Sequence, residues 1–258
     1  MPLEAPLAPV SERVAELNAR YRHHSASAVL DHAMNDPQVG RIALVSSFGA
    51  ESVALLHMAS VVDRSVPILF LDTQMLFPET LAYQRDLADR LGLTDVRILT
   101  PDRTETFLRD PESDLHLSDP DACCALRKVE PLEDALEDFD AWFTGRKRYQ
   151  GGQRVDMQFF EDEGGVRIKV NPLAHWTPSD VQDYILNNRL PRHPLVGKGF
   201  PSIGCAPCTT RVAEGEDPRA GRWRDREKLE CGIHFINGKA LRTRDLPKGQ
   251  RGLAGPEQ

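Results

Sequence analysis

Short apolar segments alternate with helical patterns over residues 41–100, and this alternation limits the fold more than any other feature of the chain. The segment "RIALVSS" has the length and composition of a buried strand, and "PILFLDT" and "DVRILT" are the second and third strand candidates. Between them lie an apolar-periodic helix, "VALLHMASVV", and a helix that begins at Pro78 and stops at Gly92. Continuously apolar strands separated by helices are typical of parallel sheets, so the sequence predicts an α/β fold.

The pattern continues more weakly in the second half of the chain. The segments "AWFTG" and "VRIKVNPL" are further strand candidates, and "TPSD" (177–180) is a capping box that opens the helix "VQDYILNN". Beyond Leu190, Pro and Gly interrupt every period, which predicts irregular structure. We divide the chain into an N-terminal helical segment (1–39), an α/β domain (40–210) and a C-terminal tail (211–258).

Composition excludes several classes of protein. The formal net charge is −7, and residues 102–140 hold thirteen acidic against four basic residues, whereas residues 189–228 are rich in Arg. This distribution argues against nucleic-acid binding and for a local anion site. No stretch reaches the roughly 20 apolar residues of a membrane span, and the N-terminus lacks the features of a signal peptide. We expect a cytoplasmic protein with no membrane partner.

The turn after the first strand, "SSFGAES", has the composition of an anion-binding loop at the N-terminus of a helix. It is not a Walker A loop, because it contains no GK[ST]. The second strand ends in Asp72 and Thr73, which should lie at the same edge of the sheet, where α/β proteins bind ligands. Together these segments predict a nucleotide site formed by Ser46, Ser47, Gly49, Ser52, Asp72 and Thr73.

Four of the five cysteines form a set. Cys123 and Cys124 are adjacent, and Cys205 and Cys208 form a Cys-x-x-Cys pair flanked by Pro and Gly. Disulfides are not expected in a reducing compartment, whereas four converging thiolates hold either zinc or an iron–sulfur cluster. Adjacent cysteines suit the separate iron atoms of a 4Fe–4S cluster better than the corners of one zinc ion. Zinc and unligated thiols are the alternatives.

These motifs resemble those of the assimilatory adenylylsulfate reductases, the cluster-bearing branch of the sulfonucleotide reductase family. The resemblance is carried, in order, by "SSFGAES", "LDTQMLFPET", "CCALRKVEPL", "WFTGRKRYQ", "PSIGCAPCT" and "ECGIH". It implies a doubly wound parallel sheet of the adenine nucleotide α-hydrolase type. It also implies reduction of adenosine 5′-phosphosulfate to sulfite and AMP in sulfate assimilation and cysteine biosynthesis, with thioredoxin or a glutaredoxin-like protein as donor.

The fifth cysteine, Cys231, is the candidate nucleophile. It lies outside the set of four, and the corresponding cysteine of the family forms an S-sulfocysteine intermediate. His234 either depresses the pKa of this thiol or packs against it. Because a thiolate is repelled by an anionic sulfonucleotide, cations must gather around the substrate. The candidates are Lys128, which would link cluster and sulfate, Arg148, and the pair Arg219 and Arg222, which would share one face if helical.

The nucleophile must be covered during attack and exposed to the donor afterwards. Five glycines at and beyond Gly232 predict a mobile tail that closes and reopens, although 27 residues follow Cys231, more than in many relatives. Because thiols supply both electrons, we expect the cluster to order its surroundings and to tune the field at the sulfate, and not to be the reductant.

Three alternatives differ in substrate or class. The 3′-phosphorylated nucleotide PAPS, alone or beside adenylylsulfate, is the first, although relatives that use it generally lack the four cluster cysteines. An ATP pyrophosphatase shares the fold, but its loop usually reads SGGxDS. A zinc-stabilised nucleotide-binding module is the third. Family members often form dimers or tetramers, so a homo-oligomer is a further expectation.

Overall fold

The computed structural model describes residues 7–151 and 154–224, together with the backbone of 235–236 and 239–240. The main sheet of this part contains β1 (Ile42–Ser46), β2 (Ile68–Leu71), β3 (Val96–Leu99), β4 (Ala141–Phe143), β5 (Phe160–Glu163) and β6 (Arg167–Val170). A separate hairpin pairs β7 (Phe235–Ile236) with β8 (Lys239–Ala240).

The helices of the described chain surround the main sheet. They are α1 (Val10–Tyr21), α2 (Ala26–Asn35), α3 (Ser52–Val62), α4 (Pro78–Leu91), α5 (Arg103–Arg109), α6 (Leu115–Ser118), α7 (Pro120–Cys124), α8 (Glu130–Leu136) and α9 (Pro178–Asn187). A π-helical turn, Ala125–Val129, joins α7 to α8. No helix of the described residues is long and apolar enough to span a membrane.

The order of the strands is β3-β2-β1-β4-β6-β5, and only β5 runs antiparallel to its neighbour. From β1 the chain moves outward to β2 and β3, and then returns to place β4 on the other side of β1. The sheet is therefore doubly wound, as expected, with its switch point between β1 and β4. In such sheets the ligand crevice lies outside the carboxyl ends of the strands at this point.

Alternate residues of the central strands enter two different cores, because successive side chains of a strand point to opposite faces. The larger core contains Leu44, Phe70 and Phe143, each at most 1% exposed, together with residues of the first four helices and α9. The smaller core contains Ala43 and Trp142 packed against α8. Burial of a Phe side chain contributes about 1.5–3 kcal/mol. Both faces of β1, β2 and β4 are covered, which explains why these strands are mainly apolar, whereas the edge strand β3 is partly exposed.

Helix boundaries follow the local sequence signals. Pro78 occupies the first turn of α4, and Gly92 ends the helix with φ 67°, a left-handed conformation that glycine adopts without strain. Thr177 caps α9 through the predicted capping box with Asp180. As predicted, residues 190–210 contain only short helical turns.

Two features were not predicted. The antiparallel edge strand β5 has the sequence "FEDE", whose charged residues hide the strand period. Residues 211–224, assigned to the tail, pack onto the fold: Thr210 N–H donates to Gly221 O at 2.8 Å, and Trp223 is 4% exposed. The three-part division of the chain and the mobility of the tail remain predictions.

Candidate active site

A cavity of about 680 Å³, here called the main cavity, opens at the carboxyl ends of β1 and β4. Its walls come from the turn after β1, the end of β2, the segment after β4, and residues 201–205 and 217–223. The volume is within the range of about 300–1,000 Å³ that is typical of small-molecule sites. The switch point of the sheet thus coincides with a cavity large enough for a nucleotide.

The turn after β1 lies at the floor of the main cavity. The hydroxyl of Ser46 accepts a hydrogen bond from Phe48 N–H at 3.1 Å, and that of Ser52 accepts one from Gly49 N–H at 3.0 Å. Phe48 has φ 47°, a strained conformation for a residue with a side chain. Such strain persists where the surrounding structure fixes the backbone. Ser46, Ser47, Gly49 and Ser52, all predicted from the sequence, line the cavity.

Glu51 occupies the N-cap position of α3, and its side chain makes no capping bond. Its carboxylate instead accepts hydrogen bonds from Lys147 Nζ at 2.7 Å and from the Tyr149 hydroxyl at 2.8 Å. Burial lowers the pKa of Lys147, and the nearby Glu51 carboxylate opposes this shift. Burial, followed by the charge of Glu51, raises the pKa of Tyr149. This network joins the turn after β1 to the segment after β4.

The described lining of the main cavity is strongly cationic. Its basic residues are Lys128, Arg146, Lys147, Arg154, Arg192, Arg219 and Arg222, whereas its carboxylates are Glu51 and Asp217. An excess of cations in a partly enclosed cavity favours a ligand that carries more than one negative charge.

Arg219 and Arg222 both line the main cavity, although they lie in a turn and not in the helix that would place them on one face. Arg222 N–H donates to Arg219 O at 2.8 Å, which closes that turn. The Arg222 guanidinium stacks on the Trp223 ring at 4.4 Å from its centroid. A side chain at Gly204 would overlap this guanidinium. With a larger residue at position 204, the Arg222 guanidinium would have to move from its present position.

Two predicted site residues do not line the main cavity. Arg148 lies in a short 3-10 turn, and its Nε donates to Met157 O at 2.7 Å. The carboxylate of Asp72 accepts from Gln74 N–H at 2.9 Å, which stabilises the turn after β2. Lys147 and Arg154, which the sequence reasoning missed, line the cavity instead. Both belong to the basic run "GRKRYQGGQR". The sequence does not show which basic residues of this run line the cavity.

Cys123, Cys124, Cys205 and Cys208 line one small cavity, here called the cysteine cavity, and none forms a disulfide. Asp119 caps α7 through the N–H groups of Asp121 and Ala122, which positions the first pair. Ala206 N–H donates to Met75 O at 2.8 Å, which holds the second pair against the end of β2. The spacing in sequence thus brings all four predicted ligands to one place.

The main cavity and the cysteine cavity share a wall. Thr73, Lys128, Cys205 and Trp223 line both of them. The hydroxyl of Thr73 lies 3.2 Å from the sulfur of Cys205. Lys128 is 8% exposed and lines both cavities, and its predicted link between cluster and sulfate remains a prediction.

The four thiols of the cysteine cavity are a donor set that zinc or an iron–sulfur cluster can use. Among the residues described, no group of three or more His, Cys, Asp or Glu is placed to hold one metal ion. Zinc would require four sulfurs about 4 Å apart, whereas a cluster of several iron atoms takes thiolates at wider separation. The indole N–H of Trp223 is buried without a hydrogen-bond partner in this part of the chain. Such a donor suits a thiolate or an inorganic sulfide.

Burial and the neighbouring thiols disfavour ionisation of Cys123. Burial raises the pKa of Cys123 to about 12, and Cys124, Cys205 and Cys208 add to this shift. Arg127 opposes it. At neutral pH this thiol stays protonated unless a metal centre binds it, because metal binding displaces the proton. The remaining predicted catalytic residues, Cys231 and His234, lie outside the described residues.

A doubly wound parallel sheet with a serine- and glycine-containing turn after β1 and a cationic cavity at the switch point defines an α/β protein that is adenine nucleotide α-hydrolase-like in fold. Residues 41–211 match the family profile of the phosphoadenosine phosphosulfate reductase domain, and the chain belongs to this family. The match confirms the predicted enzyme class, an oxidoreductase that acts on a sulfur group.

Known proteins resemble the chain in both sequence and structure. A curated relative from Chelativorans sp. (strain BNC1), named adenosine 5′-phosphosulfate reductase, is 50% identical over 88% of this chain and 92% of its own length. The solved phosphoadenylyl-sulfate (PAPS) reductase from Candida auris has a TM-score of 0.66 at 27% identity, covering 81% of this chain and 100% of that one. The FMN adenylyltransferase of Candida glabrata shares the fold alone, with a TM-score of 0.52 at 14% identity over 82% and 78% of the chains.

Proposed function

We propose that this chain reduces adenosine 5′-phosphosulfate to sulfite and AMP, and so supplies sulfite for cysteine biosynthesis. The observation that carries the proposal is the wall shared by the two cavities, because four thiols lie beside a cavity lined by several cations. The name of the relative that is 50% identical supports the same substrate.

The described residues would bind the substrate by its charges. The turn after β1 and the N-terminus of α3 offer N–H groups and hydroxyls to the α-phosphate. Arg154, Arg219 and Arg222 line the same cavity and would neutralise the phosphosulfate. Lys128 would then face the sulfate from the side of the cysteine cavity. These cations reduce the repulsion that an incoming thiolate meets, and they stabilise the charge that develops on the leaving phosphate.

The reaction would proceed in two displacements at sulfur. The Cys231 thiolate attacks the sulfate sulfur, the bond from sulfur to the bridging oxygen breaks, and AMP leaves with both electrons of that bond. A thiolate of the donor then attacks the Cys231 sulfur and releases sulfite. The second thiol of the donor resolves the mixed disulfide and regenerates Cys231. The donor is oxidised by two electrons, and sulfur is reduced from sulfate to sulfite.

Cys123, Cys124, Cys205 and Cys208 would hold one 4Fe–4S cluster. When bound, the cluster supplies a fixed charge distribution beside Lys128 and ties together the two segments that carry its ligands. Both electrons come from thiols in the scheme above, so the cluster is not required as the reductant. Stopped-flow spectra in which the cluster changes oxidation state at the turnover rate would overturn this assignment.

The alternative substrate within the family is PAPS, alone or together with adenylylsulfate. The solved structure from Candida auris carries that name at 27% identity. The four cysteines favour the nucleotide without the 3′-phosphate, because relatives that use PAPS generally lack them. The family match favours sulfonucleotide reduction over an ATP pyrophosphatase or a zinc-stabilised binding module. A thioredoxin or glutaredoxin-like donor, cytoplasmic location and a homo-oligomer complete the proposal as predictions.

Labelling with a radioactive substrate tests the proposal. Anaerobically purified protein is incubated without donor with adenylylsulfate that carries ³⁵S, and in parallel with labelled PAPS. We expect label on the wild-type chain from adenylylsulfate, its release as sulfite on addition of thioredoxin, and no label on Cys231→Ser. Label on that variant, or labelling by PAPS alone, contradicts the proposal. Iron and sulfide analysis of the same preparation distinguishes a cluster from zinc.

A further inference from the structure

Asp110 and Arg127 form a buried ion pair next to the cysteine cavity. Two guanidinium nitrogens of Arg127, Nε and Nη2, donate to Asp110 Oδ2 at 3.1 and 2.7 Å. The side chains are 0% and 3% exposed. The other oxygen of Asp110 accepts from Leu115 N–H at 2.9 Å, so the carboxylate is itself held in place.

The third guanidinium nitrogen of Arg127 extends this pair to the end of β2. Nη1 donates to the backbone oxygen of Thr73 at 3.1 Å, and the hydroxyl of Thr73 lies 3.2 Å from the sulfur of Cys205. Arg127 also lies three residues after Cys124 in the helical segment that carries the first cysteine pair. A continuous set of contacts, Asp110 to Arg127 to Thr73 to Cys205, therefore connects the two cysteine pairs.

Two adjacent basic residues lie in the π-helical turn. Within the turn Ala125–Val129, both Arg127 and Lys128 are buried and both line the cysteine cavity. Single π-helical turns occur frequently at functional sites.

A buried ion pair is weak evidence for stability, because the cost of desolvation offsets the attraction of the charges. The pair instead fixes the orientation of Arg127, because a guanidinium that binds several partners has one preferred orientation. We propose that Asp110 is a positioning residue, which orients Arg127 so that the two cysteine pairs stand at the spacing needed to receive an iron–sulfur cluster. The inference rests on the cluster site of the proposed function. It adds Asp110 as a residue that sets the spacing of the cysteine pairs without binding the cluster.

The chain offers a matched control one residue away. Arg109 makes a similar two-pronged pair with Glu130 at 2.8 and 3.0 Å, but these side chains are 35% and 42% exposed. Asp110→Asn removes the buried charge and keeps an oxygen for Leu115 N–H. Glu130→Gln makes the same chemical change in the exposed pair.

The first test measures how firmly the cluster is held. Both variants and the wild type are purified without oxygen, their iron and sulfide are determined, and the visible absorbance is followed after addition of an iron chelator. Because a hydrogen bond between charged groups contributes enough to change an equilibrium about tenfold, we expect Asp110→Asn to lose iron about tenfold faster. Glu130→Gln should stay within about twofold of the wild type, since exposed pairs contribute little. Equal rates in all three proteins overturn the proposal.

A second variant separates positioning from folding. Asp110→Asn combined with Arg127→Met removes both charges, so no unpaired buried charge remains and the thermal midpoint should recover. The connection to Thr73 stays broken, so the fast loss of iron should persist. Recovery of iron retention together with the midpoint would show that Asp110 acts through stability alone and would overturn the positioning role.

Alkylation of the apoprotein tests the arrangement without a cluster. Iodoacetamide labelling of Cys205, read by peptide mass spectrometry, should be about tenfold faster in Asp110→Asn than in the wild type, because Thr73 is no longer held against the thiol. Unchanged labelling overturns the proposal. If the wild type contains no iron, the cofactor assignment of the proposed function fails, while this measurement still decides whether Asp110 positions the thiols.

Discussion

Lys147 Nζ lies 2.7 Å from Glu51 Oε2, and this contact joins the two chain segments that meet at the switch point of the sheet. The lysine side chain is 3% exposed, whereas that of Glu51 is 36% exposed. A cation so thoroughly buried needs its carboxylate partner, because desolvation disfavours the charged form. The carboxylate of Glu51 therefore favours the charged form of Lys147, which burial disfavours.

Glu51→Gln should destabilise the protein, and more so at neutral than at alkaline pH. Burial already lowers the pKa of Lys147, and loss of the carboxylate lowers it further. The unfolded chain then binds a proton that the folded chain releases, so stability rises with pH up to the ordinary lysine value of about 10.4. We expect a loss of about 2 kcal/mol at pH 7 that shrinks by pH 9.5, measured by guanidinium chloride unfolding.

Tyr149→Phe is the control for this measurement. It removes the hydroxyl that donates to Glu51 and leaves the ion pair with Lys147 in place. Its stability should follow the wild-type dependence on pH. If the free energies of unfolding of Glu51→Gln and wild type change equally between pH 7 and 9.5, the protonation of Lys147 is not the cause of the destabilisation.

Arg154→Gln should weaken nucleotide binding more than Arg148→Gln. Arg154 lines the main cavity, whereas the Arg148 side chain donates to the backbone oxygen of Met157. Loss of a charged contact to phosphate costs about 1.5–3 kcal/mol, or roughly 10- to 100-fold in affinity. Calorimetric titration with AMP compares the two variants directly. If both variants lose the same affinity for AMP, or Arg148→Gln loses more, Arg148 binds the phosphate as the sequence predicts.

His193 should make the protein sensitive to acid. Its ring accepts from Leu195 N–H at 3.1 Å through Nδ1 and therefore donates from Nε2 to the Thr80 hydroxyl. Burial lowers the pKa of this histidine to about 4. The neutral ring contributes fully to the free energy of unfolding above the pKa of about 6.5 that histidine has in the unfolded chain, and this contribution is lost as pH falls toward 4. Between pH 7.5 and 5 we expect the free energy of unfolding to fall by about 2 kcal/mol.

Chemical unfolding at these two pH values checks the assignment. His193→Gln removes the titrating ring, so its stability should change less between pH 7.5 and 5 than that of the wild type. His23→Gln replaces an exposed histidine and should leave the wild-type slope unchanged. An identical slope in His193→Gln would mean that other groups carry the acid sensitivity.

Much of the fold and site could be predicted because the relevant signals are local. The strand that ends at Ser46 and the helix bounded by Pro78 and Gly92 follow from period, length and capping. The convergence of Cys123 and Cys205 is not local, but it could be predicted from chemistry, because two closely spaced cysteine pairs are typical of a metal centre.

The remainder depends on packing that no local pattern encodes. Strand β5 was missed because Glu163, which is buried, accepts from the Trp142 indole at 2.9 Å and pairs with Lys169 at 2.8 Å. In the sequence alone, charged residues that form ion pairs inside the fold cannot be distinguished from surface residues. The sequence also did not single out Arg154: several cations follow one another, and the turn decides which of them lines the cavity.

Lys128→Met should impair catalysis and leave the cofactor in place. Lys128 lines both cavities and is 8% exposed, so it lies between the proposed sulfate position and the thiols without belonging to the donor set. Removal of a cation aimed at developing negative charge costs roughly 100-fold in kcat. Lys198→Met is the matched control, because that lysine forms an exposed pair with Glu79. Single-turnover release of AMP measures the chemical step, and iron content measures cofactor retention. If Lys128→Met loses iron as fully as Cys205→Ser does, the lysine supports the cluster and not the reaction, because an electrostatic role in the main cavity predicts slow chemistry at full iron occupancy.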